Sequence, residues 1–559
     1  MKLHAAVLAS LGFAASVNAI AKVTRTGRYL YTDDGNRFYL KGIAYQTQGQ
    51  IISGPDNPLN QPSTFVDNLA DDAGCARDIP NLQALGANAI RAYSVDSTLN
   101  HDSCMNALSS AGIYVIIDLT LPLNGSIDTT QPSWSTNLLN QYINTINVFN
   151  KYDNVLAYNV GNEVLTSSAT NAAPFLKAAA RDIKTYLASI KSSALVGYAD
   201  IDGASSFRDA VSTYLSCDPT GSNSDATSID IFGLNNYEWC GNDSTSTYDG
   251  INGEFQNYNV VAYFSEFGSE NCNPVTRPWT EVGTLFASPM TNVWSGGLAF
   301  SYFSAQSQGH EFGMVTLSSD NKTTTTNADW DNLLNQYKQV SFVNSPSQSS
   351  APASSFGACP QEGATLAASS TLPATPNQAA CQCLQSSLPC LFKPPTPDYN
   401  VLLGTLTGVV CGLLPGVQGD CSDIAANGTT GTYGAVSGCD PTIKLSYAFS
   451  QYFELTGKAE TSCDFSGNAT LVSNNVNVVP SAAVASCVAN PSATFTPSAS
   501  APASSATGGS SSSGGGGGSS SSGGGGGSTG GALSFAQGPI VGLAAAAACV
   551  VWGAMWTLL

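Results

Sequence analysis

Eight short apolar segments recur along the chain, and longer stretches with apolar residues every three or four positions separate them. The segments span residues 38–45, 89–95, 113–119, 155–162, 195–199, 230–236, 260–266 and 297–303. Because both faces of each segment are apolar, we interpret them as buried strands of a parallel sheet. Periodic stretches at 65–85, 134–152 and 172–190 predict intervening helices. This alternation indicates an α/β fold with right-handed crossovers.

Eight strand–helix units within residues 20–345 predict a (β/α)8 TIM barrel with insertions. An open, doubly wound sheet is the alternative architecture. No Gly-x-Gly-x-x-Gly motif opens a helix after the first strand, which argues against a dinucleotide-binding version of that fold.

The composition changes after the barrel. Residues 346–372 are rich in Ser, Ala and Pro and are predicted to form a linker. Residues 373–489 contain eight cysteines, which predicts a small disulfide-rich α+β module. Zinc binding is the rival interpretation, but Cys381-Gln382-Cys383 lacks the two-residue spacer of zinc loops and no histidine lies nearby. Eight cysteines admit 105 pairings, so the pairing stays open.

Both ends of the chain resemble targeting signals. Residues 1–19 combine Lys2, an apolar stretch and a small-residue cleavage site, as in a secretory signal peptide. Residues 490–530 form a Ser/Gly-rich stalk without the material for a core. Residues 531–559 are predicted to be a glycosylphosphatidylinositol attachment signal, with Gly530 as the attachment residue. A retained transmembrane helix is the alternative, and the missing basic flank argues against it.

These signals predict passage through the secretory pathway to the outer face of the cell membrane or to the cell wall. The charge and cysteine content agree with that destination. A net charge of −19 excludes a general basic surface for nucleic acid, so we expect no nucleic-acid partner. Of 15 cysteines, Cys549 lies in the terminal signal, and the even remainder predicts a disulfide framework. Sequons for N-glycosylation occur at Asn124, Asn242, Asn321, Asn427 and Asn468.

The scarcity of histidine restricts the chemistry. The chain has three, of which His4 belongs to the signal peptide, so a histidine triad or zinc centre has little material. A Gly-x-Ser-x-Gly match at Gly526–Gly530 lies in the stalk, where no strand precedes it, and therefore does not indicate a nucleophile elbow. Carboxylates remain, and glycoside hydrolysis needs little else.

Two glutamates occupy matching positions. Glu163 follows the fourth apolar segment and Glu266 ends the seventh. Side chains at the carboxyl ends of barrel strands point into one mouth, where ligands bind. Such a pair suggests an acid/base and a nucleophile, about 5–5.5 Å apart in a retaining glycosidase. The alternative is that each is an ordinary strand-end charge in a structural ion pair.

Asn162-Glu163 and Ser265-Glu266-Phe267-Gly268 resemble the large clan of retaining (β/α)8 glycosidases. Four further segments, at residues 41–46, 88–93, 235–240 and 293–298, are similar to the fungal β-1,3-glucanosyltransferases of glycoside hydrolase family 72. This resemblance covers about residues 20–345. The cysteine-rich region resembles the family 43 carbohydrate-binding module that one subgroup carries, and the predicted signals match the same architecture.

The resemblance implies a role for each matching residue. Glu163 would be the acid/base and proton donor, and Glu266 the nucleophile. Tyr93 and Asn162 would bind the donor glucan, while Asp202 and Arg208 would contact the acceptor chain. The cleft would be lined by Gln46, Asp118 and Tyr237. Phe300 stands where the family commonly has a tyrosine, and Tyr302, two residues on, is expected to face the same side and partly replace the lost hydroxyl. The implied disulfides are Cys75–Cys104, Cys217–Cys359 and Cys240–Cys272.

The resemblance implies a β-1,3-glucanosyltransferase that cleaves an internal linkage with retention and elongates cell-wall glucan. The alternatives are a secreted endo-β-1,3-glucanase and a non-catalytic wall protein that binds glucan. We expect donor and acceptor glucan chains as partners, a lipid anchor, a monomer, and no metal or other cofactor.

Overall fold

The computed structural model describes residues 20–51, 62–122, 125–270, 272, 276–307, 309–394 and 399–498. The predicted signal peptide, Asn124, Gly530, the terminal attachment signal and the stalk from residue 499 onward lie outside the described residues. Within the described part of the chain, no helix combines the length and hydrophobicity that crossing a bilayer requires.

Eight parallel strands close into a barrel in which each strand pairs with its sequence neighbours and the last pairs with the first. They are β4 (Leu40–Ala44), β5 (Ala89–Ala92), β6 (Tyr114–Asp118), β7 (Val155–Asn162), β8 (Leu195–Ile201), β9 (Ile231–Asn235), β10 (Val261–Phe267) and β11 (Trp294–Ala299). The closure confirms the predicted TIM barrel and excludes the open sheet. Each strand falls within or overlaps a predicted apolar segment.

A small antiparallel sheet precedes the barrel and was not apparent from the apolar pattern. Its strands are β1 (Val23–Thr26), β2 (Tyr29–Thr32) and β3 (Arg37–Phe38). Val23, Leu30 and Phe38 join the apolar cluster inside the barrel, which includes Leu40 and Ala89 at the strand starts. The sheet therefore closes the end of the barrel opposite the mouth.

Helices cover the outside of the barrel. They are α1 (Asp72–Leu85), α2 (Asp102–Ser110), α3 (Thr136–Phe149), α4 (Ala173–Ser189), α5 (Ser205–Ser216), α6 (Asp249–Glu254), α7 (Glu281–Leu285) and α8 (Ala328–Tyr337). The helix predicted at 65–85 begins later because the Asp71 side chain accepts a hydrogen bond from Gly74 N and caps the first turn. Gly86, at φ +72°, ends it in the left-handed conformation that glycine favours.

Two short hairpins lie after the last barrel strand, on the mouth side. They pair β12 (Gln306–Ser307) with β13 (His310–Glu311), and β14 (Val315–Leu317) with β15 (Thr324–Thr326).

The segment predicted to be a linker packs on the barrel, and we call it the strap (residues 346–372). Phe356, Leu366 and Ala368 join the core cluster between the barrel and its helices. Cys359 forms the implied disulfide with Cys217, and Ala358 pairs with Asp218. A few apolar residues within a Ser- and Pro-rich background thus convert a spacer into a packed element.

The cysteine-rich module is α+β, as predicted. Its elements are α9 (Gln378–Ser387), β16 (Cys390–Phe392), α10 (Asn400–Leu413), β17 (Ala426–Asn427), β18 (Thr432–Tyr433), α11 (Pro441–Leu455), β19 (Ala469–Leu471) and α12 (Pro480–Cys487). All eight cysteines form disulfides, Cys381–Cys439, Cys383–Cys487, Cys390–Cys463 and Cys411–Cys421. This pairing removes the zinc interpretation and resolves the connectivity that the sequence left open.

The module is joined to the barrel by a buried polar cluster around Asp182 of α4. Its Oδ2 accepts a hydrogen bond from Trp134 Nε1 at 2.8 Å, and its Oδ1 accepts one from Thr375 Oγ1 at 2.8 Å. Arg181 binds Asp182 and donates from Nη1 to the carbonyl of Pro373 at 2.8 Å. Because the buried Asp182 carboxylate depends on donors from both the barrel and the module, the cluster fixes the module against this side of the barrel.

Candidate active site

Glu163 and Glu266 both lie at the carboxyl ends of barrel strands. Glu163 directly follows β7, and its N–H donates to the carbonyl of Ala199 at 2.9 Å. Its φ of +51° is rare for a residue with a side chain, and such conformations concentrate at functional sites. Glu266 lies within β10, where the pairing with β9 shifts register between Phe264 and Glu266. Irregularities of this kind re-aim side chains next to active sites.

Three donors hold the carboxylate of Glu266. Its Oε1 accepts from the hydroxyl of Tyr93 at 2.8 Å and from Arg91 Nη1 at 3.2 Å. Its Oε2 accepts from the hydroxyl of Tyr237 at 2.7 Å. Burial and the charge of Glu266 raise the pKa of both phenols, so they remain protonated donors. The carboxylate is therefore fixed in one orientation.

The pKa of Glu266 is raised to about 7, chiefly because burial penalises the charged form. The charge of Glu163 raises it further, whereas Arg91 and the two tyrosines favour ionisation. The two glutamates therefore lie within electrostatic reach of each other. Such opposing influences are characteristic of groups whose protonation is tuned for catalysis.

Arg91 organises the floor of the site, and we did not assign it a role from sequence. It is fully buried. Its Nη2 donates to Asp118 Oδ2 at 2.7 Å and to Asn162 Oδ1 at 2.8 Å, and its guanidinium lies 4.2 Å from the Tyr93 ring. A charged residue inside the apolar segment 89–95 was the signal that could have revealed it.

Asp118 was expected to line the cleft, but the structure places it beneath the site. Its side chain is fully buried, and it accepts hydrogen bonds from Arg91 and from Asn159 Nδ2. It is the buried counter-ion of Arg91 rather than a surface for sugar.

Asn235 supports Glu163 and was likewise missed as an individual residue. Its Nδ2 donates to Glu163 Oε1 at 2.7 Å and to Asn162 Oδ1 at 3.2 Å. The hydroxyl of Ser265 donates to Asn235 Oδ1 at 2.7 Å and thereby fixes the orientation of the amide. Glu163 is half-buried, so its carboxylate remains accessible from the mouth.

Gln46 ties two strand ends together. Its Oε1 accepts from the backbone N–H of Tyr93 at 3.0 Å and of Ser94 at 3.2 Å, and its Nε2 donates to the carbonyl of Val66. It therefore positions the loop that carries Tyr93.

Phe300 lies among the aromatic side chains beside Glu266. Its ring is 6.3 Å from that of Tyr93 and 6.5 Å from that of Tyr237, both nearly perpendicular, and 5.4 Å from Phe312. The hydroxyl that the usual tyrosine would supply is absent, yet both oxygens of Glu266 already accept from a tyrosine.

Tyr302 does not replace that hydroxyl. Its O–H donates to Asp78 Oδ1 at 2.9 Å, and its buried ring packs against Tyr45 and Trp330. Contrary to our expectation, Tyr302 therefore belongs to the core between the barrel and its helices and does not face the cleft.

Asp202 and Arg208 are in direct contact with each other. Arg208 Nη1 donates to Asp202 Oδ1 at 2.7 Å, and Glu254 accepts from Nε and Nη2, both at 2.9 Å. Asn236 Nδ2 donates to Asp202 Oδ2 at 2.7 Å. The carboxylate of Glu238 lies 3.6 Å from Arg208 Nη1. We call these five residues the acidic corner.

The three implied disulfides are present. Cys240–Cys272 joins the loops after β9 and β10, and Cys75–Cys104 joins α1 to α2. Among the described residues, no three His, Cys, Asp or Glu side chains gather as a metal site.

Comparisons with known proteins agree with this geometry. A family model described as glucanosyltransferase, of glycoside hydrolase family 72, matches residues 11–341, and an X8 domain model matches residues 388–470. The X8 match lies inside the predicted module.

Two curated relatives are similar over most of their length. The 1,3-beta-glucanosyltransferase gas1 of Schizosaccharomyces pombe is 37% identical over 485 residues, which are 85% of this chain and 83% of the relative. The 1,3-beta-glucanosyltransferase GAS2 of Saccharomyces cerevisiae is 35% identical over 452 residues, 78% of this chain and 77% of the relative.

A solved structure extends the likeness to three dimensions. A mutant of Saccharomyces cerevisiae Gas2p in complex with laminaritetraose and laminaripentaose matches with a TM-score of 0.72 at 32% identity, covering 85% of this chain and 99% of that one. The chain therefore belongs to the glucanosyltransferases of glycoside hydrolase family 72.

Proposed function

We propose that this protein is a β-1,3-glucanosyltransferase that cleaves an internal linkage of one glucan chain and transfers the new end to another, elongating cell-wall glucan. The observation that carries the proposal is the pair of glutamates at one barrel mouth. Glu266 is clamped by Tyr93, Tyr237 and Arg91, while Glu163 is held by Asn235 and open to the mouth. The names and bound laminari-oligosaccharides of the relatives support β-1,3-glucan as the substrate.

The first half-reaction forms a covalent intermediate. A carboxylate oxygen of Glu266 attacks the anomeric carbon, and Glu163 gives its proton to the departing glycosidic oxygen. The leaving chain takes that proton as a new hydroxyl, and the remaining chain is held as an ester on Glu266. The clamp on Glu266, to which Tyr93 belongs, orients the attacking oxygen, and Tyr93 and Asn162 contact the donor chain.

The second half-reaction reverses these roles. Glu163, now a carboxylate, removes the proton from a hydroxyl of the acceptor chain, whose oxygen attacks the anomeric carbon. The ester breaks and Glu266 leaves as a carboxylate. Two inversions at one carbon retain its configuration. The same step with water would give hydrolysis, so the acceptor decides the outcome.

Product masses test the proposal. Incubation with one defined laminari-oligosaccharide should give chains longer than the substrate. Products that are all shorter would instead identify an endo-β-1,3-glucanase. Glu163→Gln and Glu266→Gln should each remove the long products, whereas the matched exposed variant Glu460→Gln should retain them. A chain that binds glucan without changing its length would be a wall-binding protein.

We also propose that the mature chain reaches the cell surface as a monomer held by a glycosylphosphatidylinositol anchor at Gly530. The support is the order of apolar, small and Ser/Gly-rich residues at both termini. A phospholipase specific for that anchor should release the protein from intact cells. Retention after this treatment would contradict the anchor, and light scattering of the released protein would test the monomer.

A further inference from the structure

Arg208 is the charged centre of the acidic corner, and most of its donors are already engaged. A guanidinium carries five N–H donors. Glu254 accepts from Nε and Nη2, and Nη1 donates to Asp202 and to the carbonyl of Gly203. The Arg208 side chain is 8% exposed. It can therefore offer little to a sugar, and its contacts fix the loop after β8 against α6.

Asp202 is engaged to a similar degree. Its Oδ1 accepts from Arg208 and from the N–H of Gly203 at 2.8 Å, and its Oδ2 accepts from Asn236 Nδ2. Its side chain is 18% exposed. Asp202 thus retains some lone-pair capacity but is held mainly by protein donors.

Glu238 differs from both neighbours. Its side chain is 35% exposed, and its carboxylate stands 3.6 Å from Arg208 Nη1, outside hydrogen-bond distance. It directly follows Tyr237, whose hydroxyl binds Glu266, so its backbone is one residue along the chain from the clamp. Its N–H donates to Asn236 Oδ1 at 3.3 Å, which orients the loop toward the acidic corner.

The acidic corner contains more acidic than basic side chains. Three carboxylates, of Asp202, Glu238 and Glu254, surround the one guanidinium of Arg208. Burial and the adjacent Asp202 charge raise the pKa of Glu238, as expected for a carboxylate that lacks full compensation. A surplus of hydrogen-bond acceptors matches the hydroxyl groups of a neutral sugar, which are donors.

We infer that Glu238 is an acceptor-binding residue that decides between transfer and hydrolysis. Its carboxylate accepts hydrogen bonds from hydroxyl groups of the incoming glucan and holds that chain where Glu163 can deprotonate the attacking hydroxyl. A water molecule has no further hydroxyl groups to bind Glu238 while it attacks, so the contact favours the glucan acceptor over water. The inference rests on the proposed function and extends it to a residue outside the Asp202–Arg208 pair.

The test holds the donor oligosaccharide constant and varies the concentration of a second, labelled laminari-oligosaccharide as acceptor. Total donor cleavage and the fraction of donor transferred are measured together by mass. Glu238→Ala should raise the acceptor concentration for half-maximal transfer about 10-fold, the loss expected for a hydrogen bond to a charged group. The ratio of transfer to hydrolysis should fall accordingly.

Glu238→Gln provides the graded variant, because its amide oxygen still accepts from a hydroxyl while the charge is gone. It should lie between the wild type and Glu238→Ala. The exposed variant Glu460→Gln, in the module, should match the wild type in both measurements. Thermal unfolding of each variant separates a changed acceptor preference from damage to the fold, since a structural role would lower cleavage and transfer in proportion.

Two results would overturn the inference while leaving the proposed function intact. One is an unchanged acceptor dependence in Glu238→Ala, and the other is a proportional loss of cleavage and transfer at an unchanged ratio. If the wild type itself yields no chain longer than its substrates, the proposed function fails instead, and the two failures are therefore distinguishable.

Discussion

The two glutamates of the mouth have contrasting surroundings. Glu266 is 7% exposed and receives hydrogen bonds from two phenols and a guanidinium. Glu163 is half-buried, adopts a left-handed backbone and receives one from the amide of Asn235. A nucleophile must be held in one geometry, whereas an acid/base must exchange its proton with successive partners. The clamped carboxylate of Glu266, on β10, therefore suits the nucleophile, and the accessible carboxylate of Glu163, after β7, suits the acid/base.

The strongest test of this division removes each carboxylate in turn. Glu266→Gln should lower the cleavage rate by about 10⁴-fold or more for every substrate, because no covalent intermediate can form. Glu163→Gln should lower it by about 10²–10⁴-fold for glucan. With an aryl laminari-oligosaccharide, whose leaving group needs no proton, Glu163→Gln should recover its first step. Stopped-flow release of the aryl group measures this recovery, and recovery by Glu266→Gln would reverse the assignments.

The clamp itself can be broken at Arg91. Arg91→Met would leave Asp118 as a buried, unpaired carboxylate, which costs about 3–5 kcal/mol of the free energy of unfolding. The double variant Arg91→Met/Asp118→Asn should regain part of that stability without regaining activity, because Glu266 still lacks its guanidinium. Denaturant unfolding and product mass are measured on the same samples. Full activity in the double variant would show that the clamp does not depend on Arg91.

Buried carboxylates should make stability depend on pH. Burial raises the pKa of Glu266 and of Glu281 to about 7, from an ordinary value of 4.5. Between these two pKa values the folded state therefore binds more protons than the unfolded state. The contribution of each group to the free energy of unfolding is fully present below about pH 4.5 and is lost as the pH rises to about 7. The loss is about 3 kcal/mol per group.

Glu281 offers the matched control for this dependence, because it lies in α7 outside the clamp. Glu281→Gln should flatten the fall of the unfolding free energy between pH 4.5 and 7 while transfer products persist. Denaturant titrations at several pH values measure the slope. An unchanged slope would exclude Glu281 as a titrating group.

The smallest effect is expected at a single clamp hydroxyl. Tyr237→Phe should lower kcat/KM about 10-fold by removing one hydrogen bond to a charged group. It should also move the acid limb of the pH profile upward, because the hydroxyl favours the ionised form of Glu266. Phe300→Tyr is the reciprocal change and tests whether a further hydroxyl beside the clamp adds activity. If the acid limb of the pH profile does not move in Tyr237→Phe, the Tyr237 hydroxyl does not affect the pKa of the group that this limb reports.

The sequence predicted what depends on local periodicity and on strand ends. The barrel follows from the apolar pattern, and both glutamates follow from their place after the fourth segment and at the end of the seventh. The resemblance also predicted the three barrel disulfides, and the structure confirms them. The three-stranded sheet before the barrel was not predicted because its strands are two to four residues long and carry little periodic signal.

The errors concern where individual side chains point. Asp118 was assigned to the cleft by resemblance and Tyr302 by its position along a strand, yet Asp118 lies under Arg91 and Tyr302 points to Asp78. Arg91 and Asn235 lie in the segments 88–93 and 235–240 that carry the resemblance, but no role was predicted for them, because their importance depends on partners from other strands. The strap was predicted to be a linker because its Ser-, Ala- and Pro-rich composition conceals the few apolar residues that pack on the barrel. The direction of a side chain and its partners depend on strand register and on contacts between residues far apart in sequence, and a single sequence shows neither.

The sheet that closes the barrel floor has a consequence for maturation. If the leader is removed after Ala19, the new amino terminus is Ile20, which packs against the floor cluster, while the next carbonyl, of Ala21, accepts from the hydroxyl of Tyr114. Purification handles for recombinant work should therefore follow the module instead of preceding Ile20, since an amino-terminal fusion would place extra residues beside the packed Ile20.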